Sequence, residues 1–146
     1  MARIIIDLPP EVLFTTQLPI CVTHINKAQH LDNAALIGLL SEARVRFFRF
    51  LGYDELDVAG VGIVVADAAM QYVSEAFYGE ILRFEMVPAD FNKYGFDLLW
   101  RAADQASSRE VARGKLGILF FDYAAKRPAV IPEGFRTRVE AAMPRG

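Results

Sequence analysis

The chain has 146 residues, enough for one domain that closes a single core, and its 53% hydrophobic content with five Tyr and eleven Phe describes a folded chain rather than a disordered one. A net charge of −2 gives no basic footprint, which excludes nucleic acid and anionic membrane surfaces as general partners. The single cysteine, Cys21, makes neither an internal disulfide nor a two-cysteine metal motif, so a reducing compartment, the cytoplasm, is expected. No run approaches the roughly 18 apolar residues of a membrane span, and the apolar start Ile4-Ile5-Ile6 is too short for a signal peptide.

Residues 1–10 end in Pro9-Pro10 and read as an extended arm. From Val12 the apolar residues Phe14, Leu18, Ile20 and Val22 fall on even positions, a period of two that predicts a strand. Pro19 has no N–H for a ladder, so this strand belongs at a sheet edge or carries a bulge. A polar loop over residues 26–32 then meets the most hydrophobic helical pattern of the chain. Ala34 to Leu40 are apolar on every side, which predicts a helix surrounded by protein, and a polar stripe of Glu42, Arg46 and Arg49 appears only later, with Glu42 and Arg46 placed for an i,i+4 ion pair. Asp32 or Asn33 can cap the start and Gly52 ends the helix. The free N–H groups of that helix start favour negative charge, and His30 lies beside them.

After a polar connection, residues 62–76 form a long apolar, β-branched run. Tyr78-Gly79 is a turn, 81–87 another strand and Pro88-Ala89-Asp90 another turn. Tyr94, Phe96, Leu98, Trp100 and Ala102 share one face of a fourth strand, residues 111–122 make the fifth, and Pro132 at a helix N1 position opens a short last helix. Strands joined by tight turns are antiparallel. The expectation is an α+β single domain over 1–146: a five-stranded antiparallel sheet curled about one long helix. Five strands cover only one side of such a helix and leave a sheet edge bare, so self-association is expected.

These residues resemble the hotdog-fold thioesterases, in particular the branch of 4-hydroxybenzoyl-CoA and long-chain acyl-CoA thioesterases. The matching pieces are Gln29-His30-Leu31-Asp32-Asn33-Ala34, Ser41-Glu42-Ala43-Arg44, residues 48–52, Tyr72, Val111-Ala112-Arg113-Gly114, and Arg127-Pro128 to Ile131-Pro132. The resemblance implies hydrolysis of an acyl thioester of coenzyme A or acyl carrier protein, without metal or cofactor. It also implies homodimers or homotetramers with sites at the dimer interface, and backbone N–H groups of the central helix tip that polarise the thioester carbonyl. The family's attacking or water-activating carboxylate stands four residues before the motif histidine, where this chain has Asn26. Plant-type acyl-carrier-protein thioesterases suggest a substitute, a Glu three residues after the second-strand tyrosine, and Glu75 stands there after Tyr72.

The resulting site is Asn26, His30 and Glu75 for catalysis, with Asn33, Asp32 and Arg113 contacting substrate, Arg113 together with Lys115 as a candidate for coenzyme A phosphates. Asp67, in an apolar strand, is a second-choice base that needs a partner if buried; Glu42 has Arg46 as its natural partner; and Trp100 belongs to the core first and an acyl pocket second. Two other readings stand beside hydrolysis: a non-hydrolytic acyl-thioester binding protein that lacks the carboxylate, and a dehydratase or hydratase of the same fold.

Overall fold

The computed structural model describes residues 2–144. Strands β1 (Phe14–Pro19), β2 (Gly62–Tyr72), β3 (Ile81–Ala89), β4 (Gly95–Asp104) and β5 (Glu110–Asp122) form one antiparallel sheet in the order β1-β3-β4-β5-β2, and a two-residue β6 (Arg127–Pro128) adds to β5. The helix α1 (Asn33–Phe50) lies against one face, and α2 (Glu133–Ala142) closes one end. The expected wrapped-helix architecture is therefore present, with one short strand more than the sequence indicated.

Buried Leu36, Leu39, Leu40, Ala43 and Phe47 recur at three- and four-residue spacing along α1 and face the sheet. They meet Leu82, Phe84 and Met86 of β3, Phe96, Leu98, Trp100 and Ala102 of β4, and Ala112, Leu116, Ile118 and Phe120 of β5, all on alternate strand positions. At the closed end, the Phe135 ring of α2 sits between Phe48, Phe96 and Phe120, with ring centres 6.0, 5.2 and 5.2 Å away. Burying one such ring is worth about 1.5–3 kcal/mol, which is what docks so short a helix. Gly114 is required because a Cβ there would strike the Ala69 carbonyl and Cζ2 of the neighbouring Trp100 ring, which leave it no room.

Several local expectations are refined. Asp32, not Asn33, is the N-cap: its Oδ2 accepts from the Ala34 and Ala35 amides at 3.0 and 3.1 Å. Gly52 follows the helix with φ 88°, in the left-handed region. Pro132 is the N-cap of α2 rather than its first residue. Pro19 does end an edge strand, pairing Ile81. Pro88, expected in a turn, lies within β3; β1 pairs β3 only between residues 81 and 86, so Pro88 sits where that side of β3 has no neighbour to miss its N–H. β2 and β3 are not a hairpin: β2 pairs β5 at one edge and β3 pairs β1 and β4, so residues 73–80 cross beneath the tip of α1. The start of α1 is also less enclosed than its composition suggests, since Ala34, Ile37 and Gly38 are exposed, Ile37 to 47%. One copy of the sheet covers one side of the helix.

Candidate active site

The helix tip, the loop before it and the crossing segment enclose a cavity of about 470 Å³. Its walls include Asn26, His30, Asp32, Asn33, Tyr72 and Glu75, and its apolar floor is Leu36 and Val111, both buried.

The loop is folded by Asn26. Its Oδ1 accepts from the Ala28 amide at 3.0 Å and the His30 amide at 3.4 Å, while its own N–H donates to the His30 carbonyl at 3.0 Å. Gln29 completes the turn with φ 71°. The loop is then tied to distant parts: the Leu31 amide donates to the Ala76 carbonyl at 2.7 Å and the Asp32 amide to the His24 carbonyl at 2.8 Å. The first of these bonds carries His30 to Glu75 across 45 residues of sequence, with Nε2 and Oε1 3.8 Å apart. That is longer than a hydrogen bond but short enough for one water to bond both groups. His30 Nδ1 lies 3.3 Å from the Leu31 carbonyl, and the other ring nitrogen, Nε2, faces Glu75.

Glu75 is exposed over 65% of its side chain, but its backbone is held firmly. The Val73 and Ser74 amides donate to the Val111 carbonyl at 2.8 and 3.1 Å, and Ser74 Oγ to the Glu110 carbonyl at 2.6 Å. Arg109 donates to the Glu75 carbonyl at 3.2 Å while forking onto both oxygens of Glu80 at 2.8 and 3.0 Å. Sequence reasoning passed over Arg109 and Ser74, because nothing in their local spacing tells that β5 supports the crossing segment.

Tyr72 closes the rim. Its hydroxyl donates to the Asn33 carbonyl at 3.3 Å, and its pKa is raised above 10.0, first by burial and then by the nearby Asp32 carboxylate. The Asp32 carboxylate takes the Ala34 and Ala35 N–H groups and the Leu36 amide bonds the Asp32 carbonyl, so the Asn33 N–H is the helix-tip donor left without an acceptor among the described residues. The tip thus offers one donor, not the several that an uncapped helix would present.

The structure therefore brings Asn26, His30, Glu75, Asp32 and Asn33 into one cavity. Arg113 is elsewhere: it does not line the cavity, and on the opposite face of the sheet it forks onto Glu110 at 2.5 and 2.9 Å and donates to the Ile6 carbonyl at 3.1 Å. Lys115 beside it bonds Asp67 and Asp97 at 2.9 and 3.2 Å, so Asp67 has its partner and stands apart from the site. Glu42 pairs Arg46 at 3.0 Å, as the spacing predicts. Trp100 is core. Among the described residues no three His, Cys, Asp or Glu side chains converge as a metal would require, and no helix is long and apolar enough to cross a membrane.

The architecture, an antiparallel sheet curled about one long helix, is that of the hotdog fold. Residues 22–139 match the thioesterase-like superfamily, and the chain belongs to it. Among solved structures it is similar to a protein from Staphylococcus aureus determined in complex with CoA, at 16% identity over 93% of this chain and 87% of that one with a TM-score of 0.81. A putative thioesterase from Pseudomonas aeruginosa has 22% identity, coverage of 86% and 97%, and a TM-score of 0.79. A 1,4-dihydroxy-2-naphthoyl-CoA thioesterase from Synechocystis has 12% identity, coverage of 86% and 94%, and a TM-score of 0.78. None of the curated proteins searched matches the chain.

Proposed function

We propose that this protein is a cytoplasmic acyl-thioester hydrolase acting on an acyl-CoA, as a homodimer formed across the free edge of β2. The observation that carries the reading is the approach of His30 Nε2 to Glu75 at 3.8 Å on the wall of a cavity that Asn33 also lines, the residue whose N–H has no acceptor among the described residues. In this reading the thioester carbonyl accepts from the Asn33 N–H, aided by the helix dipole. Glu75 takes a proton from the water held between it and His30. The oxygen of that water bonds the carbonyl carbon, the C–S bond breaks, and the proton passes by way of His30 to the departing thiolate, leaving free acid and thiol. Asn26 shapes the loop and leaves its side-chain N–H₂ free to hold the water or the carbonyl. The family membership and the CoA bound to the Staphylococcus aureus protein support coenzyme A as the carrier. The test is thiol release by the purified protein over a panel of aliphatic and aromatic acyl-CoA esters; no release from any of them overturns the reading.

One observation favours a second reading, a binding protein that holds the thioester without cleaving it. At the position where the resemblance implies a carboxylate stands Asn26, whose Oδ1 is already engaged by two loop amides. Asn26→Asp keeps that turn and adds a carboxylate oxygen. A large gain in hydrolysis from a barely active parent selects the binding protein, and an unchanged or lowered rate in an active parent selects the enzyme.

A further inference from the structure

The N-terminal arm crosses the outer face of the sheet, the face away from α1. Residues 8–12 line a cleft with Glu85 and Val87 of β3 and Leu99 and Arg101 of β4. The Ile6 carbonyl accepts from Arg113 of β5 at 3.1 Å and its amide donates to the Gln71 side chain of β2 at 3.4 Å, while Arg3 reaches the Tyr72 carbonyl at 3.4 Å. Counting down the chain, the arm therefore meets β3, β4, β5 and β2 in their spatial order and arrives at the open edge of the sheet. There it presents Ile4 and Ile5, which are 57% and 76% exposed. Two isoleucines held out at a bare strand edge, on a segment anchored immediately behind them, are largely exposed and stand outside the apolar cluster formed by the described residues.

The other end of the same edge carries an apolar patch on the same outer face. Val64 pairs Leu119, and Phe121 stands next to them with the Tyr123 ring 5.2 Å away. Val64, Leu119 and Phe121 are only half-buried, and Tyr123 is 50% exposed. An antiparallel pairing of β2 with its own copy, by a two-fold axis at mid-strand, sets residues near Gln71 beside Ile63 of the partner subunit. The next two strands beyond the edge are then the β2 and β5 of the second copy, about 5 and 10 Å away. Ile4 lies two extended residues beyond the anchored Ile6, about 7 Å, so the two isoleucines pass over the partner's β2 and their side chains reach toward its β5 and the patch.

We propose that the arm continues across the dimer boundary and packs Ile4 and Ile5 onto the outer-face patch formed by the partner's Val64, the partner's Leu119 and the partner's Phe121, strapping each subunit to the other. The occupant of that patch is a second copy of this chain. This rests on the homodimer of the proposed function, and it assigns the arm a task that the catalytic cavity does not need.

The experiment is cross-linking with a short bismaleimide in a Cys21→Ser background, comparing Ile4→Cys, Phe121→Cys and the double variant, each sized by light scattering. Within one chain the two positions are roughly 26 Å apart, eight residues along β5 from Arg113, so an intramolecular link is out of reach. The expected result is a covalent dimer from the double variant alone. A protein that is dimeric by light scattering yet gives no covalent dimer overturns the strap while leaving the dimer intact. A protein monomeric by light scattering overturns both. As a second measurement, Ile4→Asp with Ile5→Asp is expected to raise the dimer dissociation constant at least tenfold; no change overturns the strap.

Discussion

Asp32 sits in the cavity wall, yet its geometry assigns it to the helix rather than to the chemistry. Replacing it by Ala removes two hydrogen bonds from amides at the α1 start and one negative charge at the positive end of the dipole. The cap is worth about 1 kcal/mol, within a range of roughly 0.5–2, and the charge adds about 0.3–1 kcal/mol. Asn at this position keeps a capping oxygen and loses only the charge. For a chain of 146 residues the unfolding entropy makes 1 kcal/mol equivalent to about 3 °C of Tm. Asp32→Ala is therefore expected to lower Tm by about 4–6 °C and Asp32→Asn by about 1–3 °C, measured by calorimetry at one fixed protein concentration because the Tm of any self-associating protein depends on it. Both variants are expected to keep hydrolysing. Equal losses of Tm for the two, or no loss for Ala, refute the capping account; loss of hydrolysis with Tm unchanged would mean that Asp32 touches the substrate.

Arg44 forks onto Glu55 at 2.6 and 3.4 Å, with both side chains under one-fifth exposed, and the Glu55 carbonyl in turn receives the Ile63 amide. Glu55→Gln leaves a mostly enclosed guanidinium without its counter-charge and is expected to cost about 1–3 kcal/mol by urea unfolding, whereas a loss under 0.3 kcal/mol would count as refutation. Glu110, held below its ordinary value of 4.5 first by the hydrogen bond from Arg113, contributes stability that is present above that value and is lost as pH falls through its folded pKa. The stability gap between the parent and Glu110→Gln should accordingly be widest near neutrality and narrow below about pH 4.5. A gap independent of pH contradicts the assignment.

The elements that the sequence foretold best were those with a local cause. Gly52 stops α1 because a left-handed residue is needed there, Pro19 marks an edge because it lacks a donor, and the Glu42–Arg46 pair follows from helix geometry. Pro88 shows the limit of the same rule: a proline tells that one hydrogen bond is missing, not whether the strand ends or merely outruns its neighbour. Tyr78-Gly79 likewise marks a turn without saying which strand lies alongside, so a crossing segment read as a hairpin. At the site, His30 and the helix tip were legible from one contiguous motif. The meeting of His30 with Glu75 depends on the Leu31–Ala76 hydrogen bond, and the firmness of Glu75 on Arg109 and Val111 of the region entering β5, contacts that no local period records. The spacing of Glu75 three residues after Tyr72 came from resemblance alone, and the fold sets its carboxylate 3.8 Å from His30 Nε2.

The central claim is that Glu75, steadied opposite His30, is the base that activates water. The direct measurement is kcat/KM for thiol release from the best acyl-CoA substrate by the parent, Glu75→Gln and His30→Ala, with folding checked by Tm. The account predicts a fall of about 10² to 10⁴ in kcat for Glu75→Gln with Tm and KM little changed, the size of a lost general base, and a comparable fall for His30→Ala. A Glu75→Gln protein that hydrolyses within about twofold of the parent contradicts it.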